Sequence, residues 1–412
     1  MDVVPPRWKE VEDVVRKAKA SSAPGPNGVP YRVYKNAPGV LRFLWKLFKV
    51  VWHKQSIPTA WCRAGGVLIP KEKESVRIDQ FRMISLLNVE GKIFFSIVAK
   101  RLVQYLEKNG LIDTTVQKAG SFAGCIEHTS VIWHQIQTAK QEGRELHVVF
   151  LDLANAFGSV PHSLIWSACE YFRVPVEIVN IMKGYFKDIR LCIGTGEFVS
   201  DWQKLEVGIM AGCTISPLAF TMAMEMVIRA CKWVVGGERR RGLRLPPIRA
   251  FMDDMTLLTT TVPCTKRLLE RINTNLRWAR MRIKPSKSRS ISVTKGKVVE
   301  QKFTVEGEEI PSIRVRPVKS LGRWYNADLS DREQVEQLRK DVVEGLEKID
   351  RSGLPGKLKL WCMQFGLFPR VMWPMSVYEV IGAYIMEANV EKGRSEGEKE
   401  IGCRADTQAR RS

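Results

Sequence analysis

Several common functional signatures are missing from this 412-residue sequence. It has nine cysteines, none of them in a Cys-x-x-Cys pair, and only five scattered histidines. This pattern argues against zinc knuckles, a histidine-based metal site and a disulfide framework. Isolated cysteines are typical of buried thiols in a protein kept in a reducing compartment.

Long apolar runs are also missing. No stretch reaches the roughly 18 apolar residues that a membrane-spanning helix needs, and residues 1–10 lack the apolar core of a signal peptide. We therefore expect no membrane partner and an intracellular protein. The sequence does not decide between nucleus and cytoplasm, because Arg239–Arg241 is too short to count as a nuclear signal.

Acidic residues are scarce relative to basic ones. The chain has 65 Lys and Arg against 44 Asp and Glu, a formal net charge of +21. Such an excess indicates a polyanionic partner. The apolar fraction of 45% is otherwise that of an ordinary globular protein. The length predicts two or three subdomains around a sizeable core.

Two adjacent carboxylates lie between apolar residues in the stretch 249–258. The pattern predicts a hairpin in which Ala250–Met252 and Met255–Leu258 form strands and Asp253 and Asp254 occupy the turn. Adjacent aspartates at a turn are most often solvated turn formers. A functional interpretation of this pair therefore needs a third group.

Asp152 supplies that group. It follows Leu146–Leu151, a β-branched and aromatic run typical of a strand buried on both faces. If Asp152 lies beside Asp253 and Asp254, the three like charges raise one another's pKa unless cations neutralise them. Oxygen-rich clusters suit Mg²⁺, and a pair of such ions about 4 Å apart is the recurrent device of phosphoryl transfer.

The hydrophobic spacing in the rest of the sequence predicts mostly helices. Gly91-Lys92 lacks the upstream glycines of a P-loop, which excludes that class of ATPase. A glycine-bearing loop at 206–217 leads into a helix whose methionines, Met222, Met224 and Met226, are expected to fill the core. The amphipathic helices are predicted at residues 8–20, 42–52, 93–106, 217–232, 335–349 and 357–368, with a strand and turn at 315–324.

A basic segment extends from Lys266 to Arg289 around a helix whose buried side is formed by Leu268, Leu269, Ile272, Leu276 and Ala279. A solvated helix face is the usual fate of such charges, but the near absence of acids favours phosphate contacts. Trp278 is expected in the core, with base stacking as the alternative. Lys71 and Arg82 are either surface cations or phosphate clamps.

Taken together, these stretches resemble the reverse transcriptase domain of non-LTR retrotransposons of the long interspersed nuclear element type. The matches are collinear over about residues 23–324. They are Ala23–Tyr31 for the opening Ala-Pro-Gly-Pro loop, Phe81–Leu87, Gln117–Gly120, Asp152–Val160, Gly208–Pro217 and the Phe-Met-Asp-Asp box at Phe251–Asp254.

The resemblance implies an α+β right-hand polymerase with fingers, a palm built on an antiparallel sheet with packed helices, and a truncated helical thumb. It implies an N-terminal helical extension at 1–50, a reverse transcriptase core of fingers and palm at 51–325, thumb-like helices at 326–380 and a disordered tail at 381–412. The chain is expected to be a piece of a retroelement polyprotein.

The resemblance also implies RNA-directed DNA polymerase activity on an RNA template and a DNA primer. Asp152, Asp253 and, less firmly, Asp254 would bind two Mg²⁺ ions, with Mn²⁺ as an alternative, and no small-molecule cofactor is implied. The remaining roles fall to two groups. Those expected to contact the deoxynucleoside triphosphate are Lys71, Arg82, Phe157, Gly212 and Lys287, and those expected to contact primer and template are Gly208, Ser216 and Gly322.

The sequence departs from the family at Ala211, usually Gln, and at Met83, Gly158 and Thr214. A catalytically degenerate remnant that binds nucleic acid without polymerising is therefore the alternative. A telomerase-like or RNA-directed RNA polymerase is a second alternative, which the aromatic Phe157 opposes because the family uses such a ring against the ribose 2′-hydroxyl.

Overall fold

The computed structural model describes residues 1–71, 73–118, 124–195, 198–237, 239–240 and 243–379. The helices are α1 (Trp8–Lys17), α2 (Tyr31–Asn36), α3 (Pro38–Lys54), α4 (Val89–Lys108), α5 (Cys125–Gln141), α6 (Ala156–Ser159), α7 (His162–Tyr171), α8 (Val176–Lys187), α9 (Ser216–Cys231), α10 (Val262–Trp278), α11 (Arg332–Asp350), α12 (Gly356–Cys362) and α13 (Phe368–Val377).

The strands are β1 (Arg63–Pro70), β2 (Phe81–Leu87), β3 (Gln117–Lys118), β4 (Leu146–Leu151), β5 (Arg190–Ile193), β6 (Gln203–Lys204), β7 (Arg239–Arg240), β8 (Leu243–Arg244), β9 (Ile248–Phe251), β10 (Asp254–Thr259), β11 (Arg289–Thr294), β12 (Lys297–Val299), β13 (Phe303–Val305), β14 (Glu308–Ile310), β15 (Val318–Ser320) and β16 (Arg323–Tyr325). The mixture of helices and largely antiparallel strands confirms the α+β class.

The chain divides into a first unit, residues 1–128 with 139–312, and a second unit, residues 129–138 with the chain from 313 onward.

The first unit contains a six-stranded sheet in the order β12-β11-β4-β10-β9-β3. All six residues of β4 are buried, as the unbroken apolar run predicts for a strand covered on both faces. β4 pairs antiparallel with β10 on one side and with β11 on the other. The predicted strand at Leu146–Leu151 is confirmed.

A four-stranded sheet in the order β2-β1-β5-β6 forms the other large ladder of the first unit. β1 pairs antiparallel with β2 and parallel with β5, and β5 pairs antiparallel with β6. Burial alternates along β1, where Ala64 and Gly66 are buried while Arg63, Val67 and Ile69 are exposed. This sheet therefore has one covered face and one face open to solvent.

An aromatic cluster joins the N-terminal helices to the core of the first unit. The Phe94 ring of α4 lies 5.4 Å from that of Phe48 on α3 and 5.6 Å from that of Trp61. All three side chains are at most 4% exposed. Such ring pairs contribute about 0.5–1.5 kcal/mol each beyond the apolar area that they bury.

Most of the predicted helices are confirmed, within a few residues at their ends. The five apolar residues expected on the buried side of α10 are buried, and Met222 and Met224 of α9 are completely buried. The core position expected for Trp278 is wrong, because its side chain is 72% exposed. Trp278 follows the buried Leu276 by two residues, which turns it about 200° around the helix.

Two further expectations need correction. Arg289, assigned to the basic helix, instead opens β11, where it is buried and its guanidinium donates to the carbonyls of Ser286 and Ser288. Asp254, expected in the hairpin turn, is the first residue of β10. Its backbone already pairs with that of Phe251, so the turn is shorter than the sequence pattern indicates.

The second unit contains α11 to α13 and the β15–β16 hairpin, whose turn, Leu321–Gly322, lies within the strand and turn predicted at 315–324. Its helices share an apolar cluster formed by Leu338, Leu367 and Val371. The predicted boundaries at residues 50, 325 and 380 stay predictions. Residues 381–412 lie outside the described residues.

A buried ion pair anchors the hairpin of the second unit. Arg323 is 0% exposed and pairs with Asp331. The guanidinium lies 3.7 Å from the centre of the Trp133 ring. The second carboxylate oxygen of Asp331 accepts a hydrogen bond of 2.9 Å from the backbone N–H of Glu379.

Within the described ranges, none of the helices combines the length and the apolar character that crossing a membrane would require.

Replacing Asp331 with Ala should leave the Arg323 guanidinium buried without a counterion. We expect this change to destabilise the hairpin by about 3–5 kcal/mol, seen as faster hydrogen exchange of peptides covering residues 318–331. The control is Asp341→Ala, which removes an exposed carboxylate on α11 and should change stability by no more than about 0.5 kcal/mol. Unchanged exchange in the Asp331 variant would contradict the assignment.

Candidate active site

Three carboxylates lie at one end of the central strands of the six-stranded sheet. In the antiparallel ladder Met255 of β10 faces Leu151 of β4. The next two residues along the ladder, Asp254 and Asp152, therefore lie at the same end of these two neighbouring strands. Asp253 lies in the turn that precedes β10. The pairing of β4 with β10 therefore brings together residues that are about a hundred positions apart in sequence.

The turn between β9 and β10 has only two central residues, Met252 and Asp253. Met252 has a φ of 57°, a left-handed conformation that costs a non-glycine residue roughly 1–2 kcal/mol. Two contacts hold it. Its backbone N–H donates to the carbonyl of Lys118 at 3.3 Å, and its sulfur accepts a hydrogen bond of 3.8 Å from the hydroxyl of Thr221.

Burial and, after it, repulsion raise the pKa of two of these carboxyl groups, Asp254 and Asp152. The pKa of Asp254 rises to about 6, first because the carboxyl group is surrounded by protein atoms and then because of the charges of Asp253 and Asp152. The residue as a whole is nevertheless exposed, so solvent screens part of the effect. The pKa of Asp152 is also raised, again first by burial and also by Asp253, against the opposing effect of nearby lysines.

Those lysines come from two parts of the chain. Lys287 has the largest lowering effect on the pKa of Asp152, followed by Lys284 and Lys71. The same segment fixes the backbone of Asp152. The carbonyl of Asp152 accepts from the N–H of Lys284 at 2.8 Å, and the N–H of Asp152 donates to the hydroxyl of Ser288 at 3.1 Å. The site is therefore an acidic cluster faced by cations.

The chain leaves Asp152 through a tight turn into the short helix α6. Asn155, just before the helix, has a φ of 47°. Phe157 is half-buried, with its ring 5.0 Å from that of Phe220 on α9, and its carbonyl accepts from the N–H of Ile209 at 2.7 Å. The aromatic ring is thus fixed against both the glycine-bearing loop and the helix that follows it.

The glycine-bearing loop contacts the neighbouring backbone at two glycines. Gly208 has a φ of 83°, and a β-carbon there would lie 2.6 Å from the carbonyl oxygen of Gly158. Gly212 has a φ of 110°, and a β-carbon there would lie 2.3 Å from the carbonyl oxygen of Ser85. Only glycine fits these positions without displacing backbone. The loop therefore packs closely against the backbone of Gly158 on one side and of Ser85 in β2 on the other.

The donor set of the cluster fits a hard divalent cation. Oxygen is the preferred ligand of Mg²⁺, which is commonly bound by one or two carboxylates together with substrate phosphates. Burial first, and then the charges of neighbouring carboxylates, raise the pKa values of Asp152 and Asp254, and a bound cation would relieve the repulsive part. In the described part of the chain, no three His, Cys, Asp or Glu side chains are grouped closely enough to hold one ion by themselves.

The comparisons with known proteins identify the family. Residues 69–324 match the family model described as reverse transcriptase (RNA-dependent DNA polymerase). This chain belongs to the reverse transcriptase family.

The relatives are polyproteins of mobile elements. The chain is 24% identical, over 94% of its length, to the Retrovirus-related Pol polyprotein from type-1 retrotransposable element R2 of Nasonia vitripennis. It is 22% identical, over 88% of its length, to the corresponding type-2 R2DM polyprotein of Drosophila melanogaster. It covers 37% and 34% of these two proteins, so it spans about a third of the length of the curated relatives that it matches.

A solved structure of apo telomerase from Candida tropicalis, truncated from its C-terminal domain, is also similar. It is 13% identical, with a TM-score of 0.44, and the match covers 66% of this chain and 58% of the telomerase chain.

Three other residues that the resemblance places in the site, Arg82, Ser216 and Gly322, differ in exposure and in location. Arg82 is exposed on β2, opposite Ile69 of β1. Ser216 is 0% exposed at the start of α9, so its hydroxyl faces protein. Gly322 lies in the second unit, where a β-carbon would lie 2.3 Å from the indole nitrogen of Trp373.

The sequence patterns do not identify some of the residues that lie close to Asp152 and Asp254. They place Lys284 only within the basic segment Lys266–Arg289 and give no role to Ser288. Cys125, at the start of α5, has a pKa raised by burial and also by the charge of Asp254. Only the pairing of the segment after α10 with the end of β4 brings Lys284 and Ser288 to Asp152, and no local pattern reports that pairing.

The carboxyl of Asp254 should titrate near pH 6 when no divalent cation is present. Folding then favours its protonated form, so its contribution to stability falls as the pH rises from about 3.8, the ordinary value, through about 6. Removing the neighbouring charge with Asp253→Asn should lower the titration midpoint, measured by carboxyl carbon NMR. Asp341→Asn, outside the cluster, should leave the midpoint unchanged, and a midpoint near 4 in the unmodified chain would refute the coupling.

Proposed function

We propose that this domain is an RNA-directed DNA polymerase of a retrotransposon, which adds deoxynucleotides to the 3′-hydroxyl of a primer annealed to an RNA template. The observation that supports it most directly is the meeting of Asp152, Asp253 and Asp254 at one strand edge, faced by lysines, in a member of the reverse transcriptase family. The relatives' names, which are those of retrotransposon polyproteins, support the element.

In this proposal Asp152 and Asp253, with Asp254 beside them, would hold two magnesium ions. When bound, the ions supply Lewis-acid activation of the primer hydroxyl and stabilisation of the leaving pyrophosphate. The primer 3′-hydroxyl loses its proton to solvent as its oxygen bonds to the α-phosphorus, and the bond from that phosphorus to pyrophosphate breaks. The raised pKa values of Asp152 and Asp254 are consistent with a site that is relieved by added positive charge.

The side chains of the chain itself bind and orient the substrate. Lys71 and Arg82 would bind the triphosphate, and Lys287 would give a proton to the departing pyrophosphate. Gly212 would let the backbone approach the incoming nucleotide, while Gly208 and Ser216 would position the template through the loop and the start of α9. Gly322, in the hairpin of the second unit, would contact the primer.

We also propose that the four-stranded sheet belongs to the fingers, the six-stranded sheet to the palm and the helices of the second unit to a thumb. The supporting observations are the carboxylates at the edge of the six-stranded sheet and the predominance of helices after residue 330.

Primer extension tests the activity. Purified protein with an RNA template, an annealed DNA primer, Mg²⁺ and deoxynucleotides should extend the primer, and Asp253→Asn should reduce the rate at least about 100-fold because a metal carboxylate is lost. Asp341→Asn carries the same change in charge on the exposed side of α11 and should retain the activity.

A negative result is also informative. If the unmodified chain binds the hybrid tightly and salt-sensitively but does not extend the primer, the domain is a folded remnant and the proposal is wrong. A binding measurement separates the steps, since added Mg²⁺ should lower the titration midpoint of Asp254 whether or not extension occurs.

Phe157 should exclude ribonucleotides. Phe157→Ala removes the ring that packs on Phe220 and should increase incorporation of ribonucleotides relative to deoxynucleotides by at least about tenfold, equivalent to about 1.4 kcal/mol in the selectivity. Phe157→Tyr keeps the ring and should keep the selectivity. The measurement is the ratio of kcat/KM values for the two sugars, and an unchanged ratio in the alanine variant would rule out the gate.

A further inference from the structure

His162 is the first residue of α7, and its side chain contacts the glycine-bearing loop. The residue is half-buried, and its imidazole Nε2 lies 2.7 Å from the carbonyl oxygen of Gly208. A carbonyl oxygen can only accept a hydrogen bond, so Nε2 carries the hydrogen and donates it. The contact joins two stretches of chain that are 46 residues apart in sequence.

Two aromatic side chains hold the imidazole ring. Its centre lies 5.2 Å from that of the Phe186 ring on α8 and 6.4 Å from that of the Trp166 ring on α7. The rings of Trp166 and Phe186 themselves lie 5.7 Å apart in an edge-to-face arrangement. Aromatic contacts of this kind favour a defined ring orientation. The packing therefore keeps the imidazole in the orientation in which its N–H reaches the loop.

Three hydrogen bonds bind the start of the glycine-bearing loop to the segment that contains α6. The N–H of Gly208 donates to the carbonyl of Val160 at 3.0 Å, and the N–H of Ile209 donates to the carbonyl of Phe157 at 2.7 Å. The bond from His162 to the Gly208 carbonyl is the third. We call these three bonds the loop clamp. The bond from His162 is its side-chain member, so a substitution can remove it without altering the backbone.

The Gly208 carbonyl is the acceptor that depends on this side chain. Gly208 and Ile209 are both buried, and the backbone of Gly208 lies directly against that of Gly158. A buried carbonyl that loses its donor has lost water without gaining a partner, which is unfavourable. Without the imidazole N–H, the loop lowers its free energy by moving this carbonyl toward water, away from the segment that contains α6.

The loop clamp also limits the space around the Phe157 ring. The carbonyl of Phe157 is one of its acceptors. The ring packs 5.0 Å from that of Phe220 on α9, the helix into which the loop leads. A shift of the loop would therefore act on Phe157 both through its backbone and through the helix against which its ring packs.

We propose that His162 is a positioning residue, whose imidazole N–H holds the glycine-bearing loop against the segment that contains α6 and so sets how strictly Phe157 excludes the ribose 2′-hydroxyl. His162 acts through the loop and through Phe157 rather than on the reacting atoms. This inference rests on the proposed function, because it requires a nucleotide bound beside Phe157.

Two variants separate the hydrogen bond from the packing of the ring. His162→Phe keeps an aromatic ring against Trp166 and Phe186 but has no donor. His162→Gln gives up the ring, but its amide nitrogen can take the place of Nε2 and donate to the Gly208 carbonyl. If the imidazole only filled space, the phenylalanine variant would behave as the unmodified chain and the glutamine variant would be impaired. The proposal requires the opposite order.

Hydrogen exchange tests the loop clamp without catalysis. In the free protein, peptides covering residues 206–213 should exchange roughly fivefold faster in His162→Phe, because one hydrogen bond of ordinary net strength is lost. His162→Gln should exchange as the unmodified chain does. The matched control is His53→Phe, the same substitution at an exposed position on α3, which should leave these peptides unchanged. Equal exchange in His162→Phe and the unmodified chain would overturn the proposal.

Primer extension tests the effect on sugar selectivity. The ratio of kcat/KM for deoxynucleotides to that for ribonucleotides should fall roughly fivefold in His162→Phe and be retained in His162→Gln. The value of kcat for deoxynucleotides should stay within about twofold, since the carboxylate cluster is not altered. An equal loss of kcat for both sugars, with the ratio unchanged, would mean a general structural effect and would refute the role of His162.

A binding measurement distinguishes failure of this inference from failure of the proposed function. On a chain-terminated primer no bond can form, so the affinities of the two kinds of triphosphate for the protein–hybrid complex are compared in Mg²⁺. If no chain extends a primer, but the preference for the deoxynucleotide is lost in His162→Phe and kept in His162→Gln, the proposed function fails and the role of His162 stands. If the unmodified chain extends a primer and His162→Phe keeps the preference, the role of His162 fails and the proposed function stands. Absence of any preference in the unmodified chain would also exclude the role of His162.

Discussion

The pairing of β4 with β10 is the constraint on which the rest of the site depends. Because Leu151 faces Met255, Asp152 and Asp254 reach the same edge, and a slip of one residue would turn one carboxylate to the opposite face of the sheet. The complete burial of β4 specifies the register, since a slipped strand would expose apolar side chains. Burial of the apolar side chains of β4 therefore keeps the two negatively charged aspartates close together.

The segment that precedes β11 places lysines close to these carboxylates, and their positive charge offsets part of the repulsion between the aspartates. The backbone of Asp152 is fixed by Lys284 and Ser288, and the side chains of Lys284 and Lys287 lower the pKa of its carboxyl against the effect of burial. The pKa of Asp254 is raised first by burial and then by the charges of Asp253 and Asp152. A divalent cation would be bound more tightly for this reason, because relieving repulsion adds to the binding free energy.

The sequence predicts what depends on local periodicity and misses what depends on tertiary pairing. The buried strand before Asp152 and the apolar side of α10 follow from hydrophobic spacing, and both are found. The placement of Asp254 in the turn was wrong because a pair of adjacent aspartates gives no signal for which of them the ladder includes. Ser288 lies 136 residues from Asp152, and His162 lies 46 residues from the Gly208 carbonyl that it contacts, so no local pattern reports either contact.

Ala211 stands where the reverse transcriptase family usually has glutamine, and the position of the glycine-bearing loop does not depend on that side chain. The contact that fixes the glycine-bearing loop to β2 is made by backbone, because the carbonyl of Ala211 accepts from the N–H of Ser85 at 2.8 Å. Gly212 approaches the carbonyl of the same residue. Neither contact needs the glutamine side chain that the family usually has. The position of the loop therefore depends on backbone contacts that alanine keeps, so the absence of the glutamine side chain should have little effect on folding.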